Sequence, residues 1–346
     1  MTAYKLNPLT DPRWPEFTNS NPEAFIFHTR EWLNAIHLTY GYEPVVFTTS
    51  QEKTLSNAVV FCHIRSWLTG TRLVSLPFSD HCQPLAKELD LETILSYLEN
   101  QRRSEKLKYV ELRPLENDDQ MEARFNFSNS ESFYFQKINL RADVDAIYKN
   151  FHDSCIRRKI RRAGRENLVY ESGRTEELLK KFRHLLLLTR RRHRLPPQPA
   201  SWFQNIVHCL GEMVTIHVLS KDSIPVSSVI TLTYKKSMIY KYGCSDAHFN
   251  SMGGTPLLFW KVIQQAKEMG IEEFDLGRSG YEDQGLIAFK EHLGAISSTL
   301  KYYRNPAPQI QKKRLISGSA WARQAIVRLP DPLLAGIGQL LYRHIG

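Results

Sequence analysis

Two stretches of this chain repeat the same succession of residue types at a nearly constant offset, and that internal echo restricts the fold more than any other feature. In the first, Arg72 to Leu76 reads as a strand and runs into Pro77-Phe78-Ser79-Asp80-His81. A helix from about Leu91 to Arg103 follows Pro84, and the strand Tyr109 to Leu112 ends at Arg113. In the second, the strand Met238 to Tyr242 runs into Cys244-Ser245-Asp246-Ala247-His248. A helix from about Leu257 to Met269 follows Pro256, and the strand Glu273 to Leu276 ends at Gly277-Arg278. Ser79 and Ser245 are 166 positions apart, and Arg113 and Arg278 are 165 apart. Upstream, each stretch has a tryptophan-bearing helix (Trp32; Trp202), a strand (Val45 to Thr49; Val214 to Leu219), a turn, and a second strand (Ala58 to Ile64; Val226 to Tyr234). The helices rest on apolar residues at three- and four-residue steps, as in Leu258, Val262, Ala266 and Met269, and the strands on β-branched alternation, as in Val229, Thr231 and Thr233.

A chain of 346 residues has room for two cores of roughly 150 residues each. The pattern therefore predicts a mixed α/β (α+β) protein of two similar domains, residues 1–140 and 141–305, with mixed sheets, flanking helices and a groove between them. A helical tail occupies 306–346. In that tail Leu315, Ile316, Trp321, Ala325, Ile326 and Leu329 suggest one amphipathic helix. Leu333, Leu334, Ile337, Leu340 and Leu341, beyond Pro330-Asp331-Pro332, suggest a second. Such helices lie at a membrane interface or dock on their own domain, so residues 312–346 are a candidate peripheral contact with the inner membrane face.

The net charge of +10 favours polyanionic partners. Most of it is local. Arg157, Arg158, Lys159, Arg161, Arg162 and Arg165 put six cations into nine residues, on a helix whose apolar stripe is Ile156, Ile160 and Ala163 and whose cap is Asp153 or Ser154. A second cluster is Arg190-Arg191-Arg192-His193-Arg194. These runs read either as solvated faces or as a phosphate-binding surface, for which the planar guanidinium is well shaped. The five cysteines are odd in number, scattered and without a CxxC pair, so a reducing cytoplasm fits better than a disulfide framework. His63, His81, His184, His193, His208, His217 and His248 show no HxxxH or HExxH spacing, and no metal site is expected. Cys155 reads as structural. The first residues lack the apolar core of a signal peptide, and no run approaches the ~20 apolar residues of a membrane span.

The segment Phe274 to Tyr303 carries the chemistry. A strand ends at Gly277, Arg278 and Ser279. A polar loop leads to a helical segment with Phe289 and Lys290, and the strand Thr299 to Tyr303 follows. A charged tip on a rigid strand with a placed lysine suits an anionic substrate.

With FDLGRS, AFKEHLGA, LKYY and IRRKIRRAGRENL in view, the chain resembles the FemAB-like branch of the GNAT superfamily. These are aminoacyl- and acyltransferases related to the enzymes that build peptidoglycan interpeptide bridges, with relatives in exopolysaccharide clusters. The resemblance covers about residues 20 to 305. It implies a tandem GNAT-like fold and a reaction in which an amine on an anionic small-molecule or lipid-linked envelope precursor attacks an activated acyl carbon. No metal or covalent enzyme intermediate is implied. Phe289 and Lys290 match the family's Phe-Lys pair, and the lysine is then the oxyanion stabiliser. Arg157, Arg158, Arg161 and Arg278 are candidates for phosphate or carboxylate contacts, joined by Ser279, Tyr242 and Asp246. Asp275 and Asp246 are general bases or turn caps. The acyl-CoA signature Q/R-x-x-G-x-G/A is replaced by His248-Phe249-Asn250-Ser251-Met252-Gly253-Gly254, and no long helical hairpin for tRNA is evident. The expected co-substrate is therefore an aminoacyl-tRNA or an acyl-CoA. The alternatives are an RNA- or phosphate-binding protein and a non-catalytic envelope scaffold.

Overall fold

A computed structural model describes residues 2–51, 53–116, 125–308 and 329–345. In chain order the regular elements begin with β1 (Tyr4–Leu6), α1 (Arg13–Ser20), α2 (Arg30–Tyr40), β2 (Glu43–Thr48), β3 (Val59–Ile64), β4 (Arg72–Ser75), α3 (Glu88–Ser104), β5 (Val110–Leu112) and β6 (Ser128–Asn139). Then come α4 (Val144–Asn150), α5 (Arg158–Ala163), β7 (Val169–Gly173), α6 (Glu176–Arg192), α7 (Ala200–Leu210), β8 (Val214–Lys221), β9 (Ile224–Tyr234) and β10 (Ser237–Ser245). The chain finishes with α8 (Gly254–Glu268), β11 (Glu273–Ser279), α9 (Gln284–His292), β12 (Ile296–Asn305) and α10 (Asp331–Ile345). The first expected tail helix lies outside the described residues, apart from Leu329.

The chain forms two compact units that are not contiguous in sequence. One comprises Met1–Phe133, Thr299–Lys313 and Leu340–Gly346, the other Tyr134–Ser298 and Arg314–Gln339. In the first, the strands run in the order β1-β2-β3-β4-β5-β12. β2, β3 and β4 form an antiparallel meander, α3 crosses over, and β5 returns parallel to β4. Phe47, Phe61, Ile94, Leu98 and Tyr303 belong to its core. In the second, the order is β6-β11-β10-β9-β8-β7. β8, β9 and β10 form the meander, α8 crosses over, and β11 lies parallel to β10. Its core includes Ile138, Val229, Leu258, Val262 and Phe274. The internal echo is thus a real repetition of topology. In each unit the strand beyond the parallel pair is distant in sequence from its neighbour: Tyr303, Arg304 and Asn305 of β12 pair antiparallel with β5, and Tyr134 to Asn139 of β6 pair antiparallel with β11.

One detail differs from the sequence reading. The basic helix begins with a wide π-turn, Asp153–Arg157, whose cap is His152 rather than Asp153 or Ser154. The Asp153 carboxylate is drawn instead to Arg157 (3.3 Å) and Arg161 (3.4 Å) on its own helix. Trp67, a large apolar ring of the kind that ordinarily packs into a core, is 88% exposed and meets the His344 ring at its edge.

α10 is the second tail helix, and it is docked. Within the second unit, Leu334 is fully buried, Arg191 pairs with Asp331, and Gly338 lies so close to Pro197 that a Cβ would stand 2.1 Å from its carbonyl oxygen. Within the first unit, the helix's terminal carbonyls find donors. Tyr42 Oη donates to Arg343 O at 3.0 Å, and the buried Arg72 donates to His344 O at 3.0 Å. Leu333 and Leu340 stay exposed. Among the described residues, no helix is long and apolar enough to cross a membrane.

Candidate active site

Parallel strands expose their carboxyl ends to loops, and ligands of open α/β sheets collect where neighbouring strands part. In the second unit β10 and β11 pair over only three positions, Ser237–Glu273, Met238–Phe274 and Ile239–Asp275. Both strands then continue, β10 to Ser245 and β11 to Ser279. Each carries an irregularity just past the last pair. β10 shifts register against β9 between Tyr240 and Tyr242, and β11 shifts against β6 between Asp275 and Arg278. A bulge adds a residue, bends its strand and ends pairing on that side. Gly277 sits in the second bulge at φ +70, a conformation costly for a side chain, and its N–H is held by Asp275 Oδ1 at 2.6 Å.

Lys290 reaches this bulge from α9. Its side chain is 2% exposed. The ammonium donates to Ser279 Oγ at 2.8 Å, Gly277 O at 3.0 Å and Arg278 O at 3.4 Å. Those acceptors lie where the bulge interrupts the ladder, so the lysine replaces lost strand partners and concentrates positive charge at the carboxyl end of β11. Behind it, Ser279 Oγ lies 3.5 Å from Gln136 Oε1, and Gln136 Nε2 donates to Ile287 O at 3.1 Å and Ser297 Oγ at 3.3 Å. The fully buried Gln136 thus links β6, β11, α9 and the start of β12. Sequence reasoning missed it, because a glutamine in a strand carries no signal until its cross-strand neighbours are known.

The other expected residues separate into groups. Asp275 and Ser279 are buried beside Lys290, and Arg278 is half-buried next to them. Phe289 meets Phe259 edge-on at 5.2 Å and packs against the core, steadying α9. Tyr242, at the β10 bulge, accepts the Trp202 indole N–H at 2.7 Å. Asp246 caps the 3₁₀ turn Ala247–Met252 by accepting His248 N–H at 3.0 Å, and it also meets the His248 ring at 2.8 Å. Burial alone would raise its pKa, but the His248 contacts outweigh burial and hold the carboxyl below its usual range. Arg158 and Arg161 are exposed on α5, and Arg157 is half-buried.

The glycines before α8 have a packing explanation. Gly253 is at φ +78, and a Cβ there would stand 2.4 Å from the Lys159 carbonyl oxygen. Gly253 lets α5 press its backbone onto the start of α8, while Gly254 lies against Val226 of β9. The exposed cations of α5 are thereby held beside the amino end of α8, a place that favours negative charge.

Metal-binding side chains also converge. His152, Cys155 and His292 bring one ligand atom each to within 4.8 Å of one another. The sequence reading did not unite them, since His292 is remote in the chain.

A family comparison bears on this geometry: residues 152–291 match the Acetyltransferase (GNAT) domain. Over that stretch the chain is similar to a GNAT domain. The match runs from the π-turn through the parted strands to α9, and so contains Lys290, Arg278 and the basic helix. Solved structures extend the likeness to the tandem fold. FemX superposes with a TM-score of 0.70 at 15% identity, covering 87% of this chain and 96% of that one. A tandem GNAT protein from the clavulanic acid biosynthesis pathway gives 0.56 at 10% identity, covering 89% and 99%. L-PGS from Bacillus licheniformis gives 0.53 at 14%, covering 83% and 86%. No curated protein matches the sequence. The tandem GNAT-like architecture expected from the sequence is therefore present, and the GNAT match falls on the repeat that carries Lys290.

Proposed function

We propose that this protein is an acyl- or aminoacyltransferase that joins an activated acyl group to an amine on an anionic cell-envelope or exopolysaccharide precursor. The observation that carries the reading is the buried Lys290 ammonium at the parted ends of β10 and β11, inside the stretch similar to a GNAT domain. The amine nitrogen attacks the acyl carbon of an ester or thioester, and a C–N bond forms while the carbonyl oxygen becomes an oxyanion. Collapse of that intermediate breaks the C–O or C–S bond, and the amine loses a proton. Lys290 holds positive charge where negative charge develops. The N–H that donates to Arg278 O at 3.4 Å, the longest of the three bonds described above, is the one that turns to the oxyanion. A fixed donor of this kind contributes about 3 kcal/mol in a water-poor site.

The exposed arginines of α5 supply the phosphate-binding chemistry for the donor, the acceptor or both. The Gly253-Gly254 turn supports acyl-CoA only weakly, because the room at Gly253 is taken by the Lys159 carbonyl. Two donor classes therefore share one chemistry, an acyl group activated on a phosphate-bearing carrier. A mass-spectrometric screen of acyl-CoA and charged-tRNA donors against amino-sugar and lipid-linked amine acceptors distinguishes them. With the active pair in hand, Lys290→Ala lowers turnover about a hundred- to a thousandfold. Lys290→Gln, which keeps a donor without the charge, serves as the check on folding. Near-normal turnover in a folded Lys290→Gln protein removes the proposed role.

A further inference from the structure

We propose that His152, Cys155 and His292 form a three-ligand site for a borderline-soft divalent ion, zinc in the first instance. The site ties the start of the basic helix to the end of the helix that carries Lys290. The three ligand atoms lie within 4.8 Å of one another. Zinc bonds of roughly 2.0–2.3 Å to nitrogen and sulfur place tetrahedral ligands about 3.5 Å apart, so closure needs about an ångström of side-chain rotation. His152 is exposed, and rotation of its ring out of the 3.3 Å cap bond with Cys155 N–H supplies it; the ring is tilted 54° from that of His292 with centroids 4.5 Å apart, which leaves the rings unstacked.

The backbone holds the three positions independently of any ion. His152 N–H donates to His292 O at 2.8 Å, which joins the two segments. Phe151, Ile156 and Leu293, the neighbours of the ligands, are all buried. The π-turn closes with Arg158 N–H donating to Asp153 O, and it sets Cys155 opposite the end of α9. Such wide turns recur at functional sites.

The surroundings supply an outer layer of contacts. Ser154 Oγ lies 3.4 Å from His152 Nδ1 and 3.8 Å from Cys155 Sγ. In the present arrangement Nδ1 accepts the Cys155 N–H at 3.3 Å. When Nε2 takes the ion, Nδ1 carries the proton and turns to the Ser154 hydroxyl, which fixes the tautomer. The thiol releases one proton as the ion binds. Two imidazoles and one thiolate select zinc or cobalt over magnesium or calcium, and a fourth position remains for water. The proposal does not depend on the transferase reading, because it rests on these three side chains alone.

The test is a titration of the chelator-treated, full-length protein with cobalt(II), followed by absorption. One equivalent is expected to give a thiolate-to-cobalt charge-transfer band together with the intense visible bands of a tetrahedral ion, and zinc displaces both. Cys155→Ser abolishes the charge-transfer band, while Cys209→Ser, at the other half-buried cysteine, leaves it. His152→Gln and His292→Gln, both outside the buried core, weaken binding at least tenfold without unfolding the chain. Absence of the band, its survival in Cys155→Ser, or an affinity in either histidine variant equal to that of the unaltered protein would overturn the site and mark any cobalt uptake as adventitious.

Discussion

The two units place the same strands at the same point of the topology and then treat the carboxyl ends differently. In the first, β4 and β5 stay paired through Ser75–Leu112, two residues further along the repeat than Ile239–Asp275 in the second. Beyond them the chain fills its own site. Arg113 donates to Leu76 O at 2.6 Å and takes the Cys82 N–H on its own carbonyl, and its guanidinium lies over the Tyr302 ring at 4.9 Å. Its Nη2 also meets the buried carboxylate of Glu111 at 2.7 Å, and Arg304 holds the other oxygen of that carboxylate. Burial alone would raise the Glu111 pKa, but the two guanidiniums outweigh it and hold the carboxyl below its ordinary range. At the corresponding place the second unit has a glycine bulge, a half-buried Arg278 and the Lys290 ammonium. One copy of the repeat has turned its strand ends into core, and the other has kept them parted by two bulges.

Removing each of the two matched arginines in turn tests that contrast most strongly. Arg113→Met leaves Glu111 with one guanidinium in a buried site, and the expected loss is about 3 kcal/mol of stability, read by denaturant unfolding. Arg278→Met is expected to cost under about 1 kcal/mol, as for a partly exposed charge, while lowering turnover more than Arg113→Met does in its folded fraction. If Arg113→Met unfolds no more easily than Arg278→Met, the first unit's strand ends are not the filled core described above.

Acid separates the units by a smaller amount. His217 in β8 is fully buried between Tyr170 Oη and Thr231 Oγ1, each at 2.8 Å, and burial pushes its pKa down to about 3. A depressed histidine binds fewer protons folded than unfolded, so its contribution is complete above the ordinary value of 6.5 and is lost as pH falls below it. The loss reaches about 2 kcal/mol by pH 5. Glu111 is also depressed, but its contribution is complete above the ordinary carboxylate value and is lost only below that. Hydrogen exchange at pH 5 should therefore show β8 and β9 losing protection while β5 keeps it. His217→Gln should remove the difference, and earlier loss at β5 would reverse the assignment.

The repeat was readable because each copy carries its own periodicity: α3 and α8, β3 and β9, and β4 and β10 all lie within a few residues of their expected positions. What local pattern could not give was the exchange of β6 and β12, since both pair with strands more than a hundred positions away. α6 went unread although its signals are present. Thr175 Oγ1 accepts Leu178 N–H, Glu176 and Glu177 begin the helix, and Arg190, Arg191 and Arg192 end it. The arginine cluster drew attention as charge, when part of its meaning is to complement a helix terminus. In the candidate site, Lys290, Ser279, Arg278 and Asp275 were legible from one segment and do lie together. Gln136 and the convergence of His152 and Cys155 with His292 were not, because each joins residues more than 130 positions apart.

The smallest expected effect sharpens the comparison on its outer surface. Arg158 is exposed on α5, in the unit whose strand ends are parted. Arg103 is likewise exposed in the other unit, where it pairs with Glu99 at 2.7 Å. Each removed charge should change stability by under about 0.5 kcal/mol, so melting curves will not tell them apart. Affinity for a phosphate-bearing ligand will. If α5 is the phosphate surface, Arg158→Gln lowers the slope of log affinity against log salt by roughly 0.7 to 0.9, the release of about one counterion. Arg103→Gln leaves that slope unchanged, because its guanidinium is already neutralised by Glu99. Equal slopes in the two variants would mean that the arginines of α5 are a solvated face and that the anion is gripped only at Arg278 and Lys290.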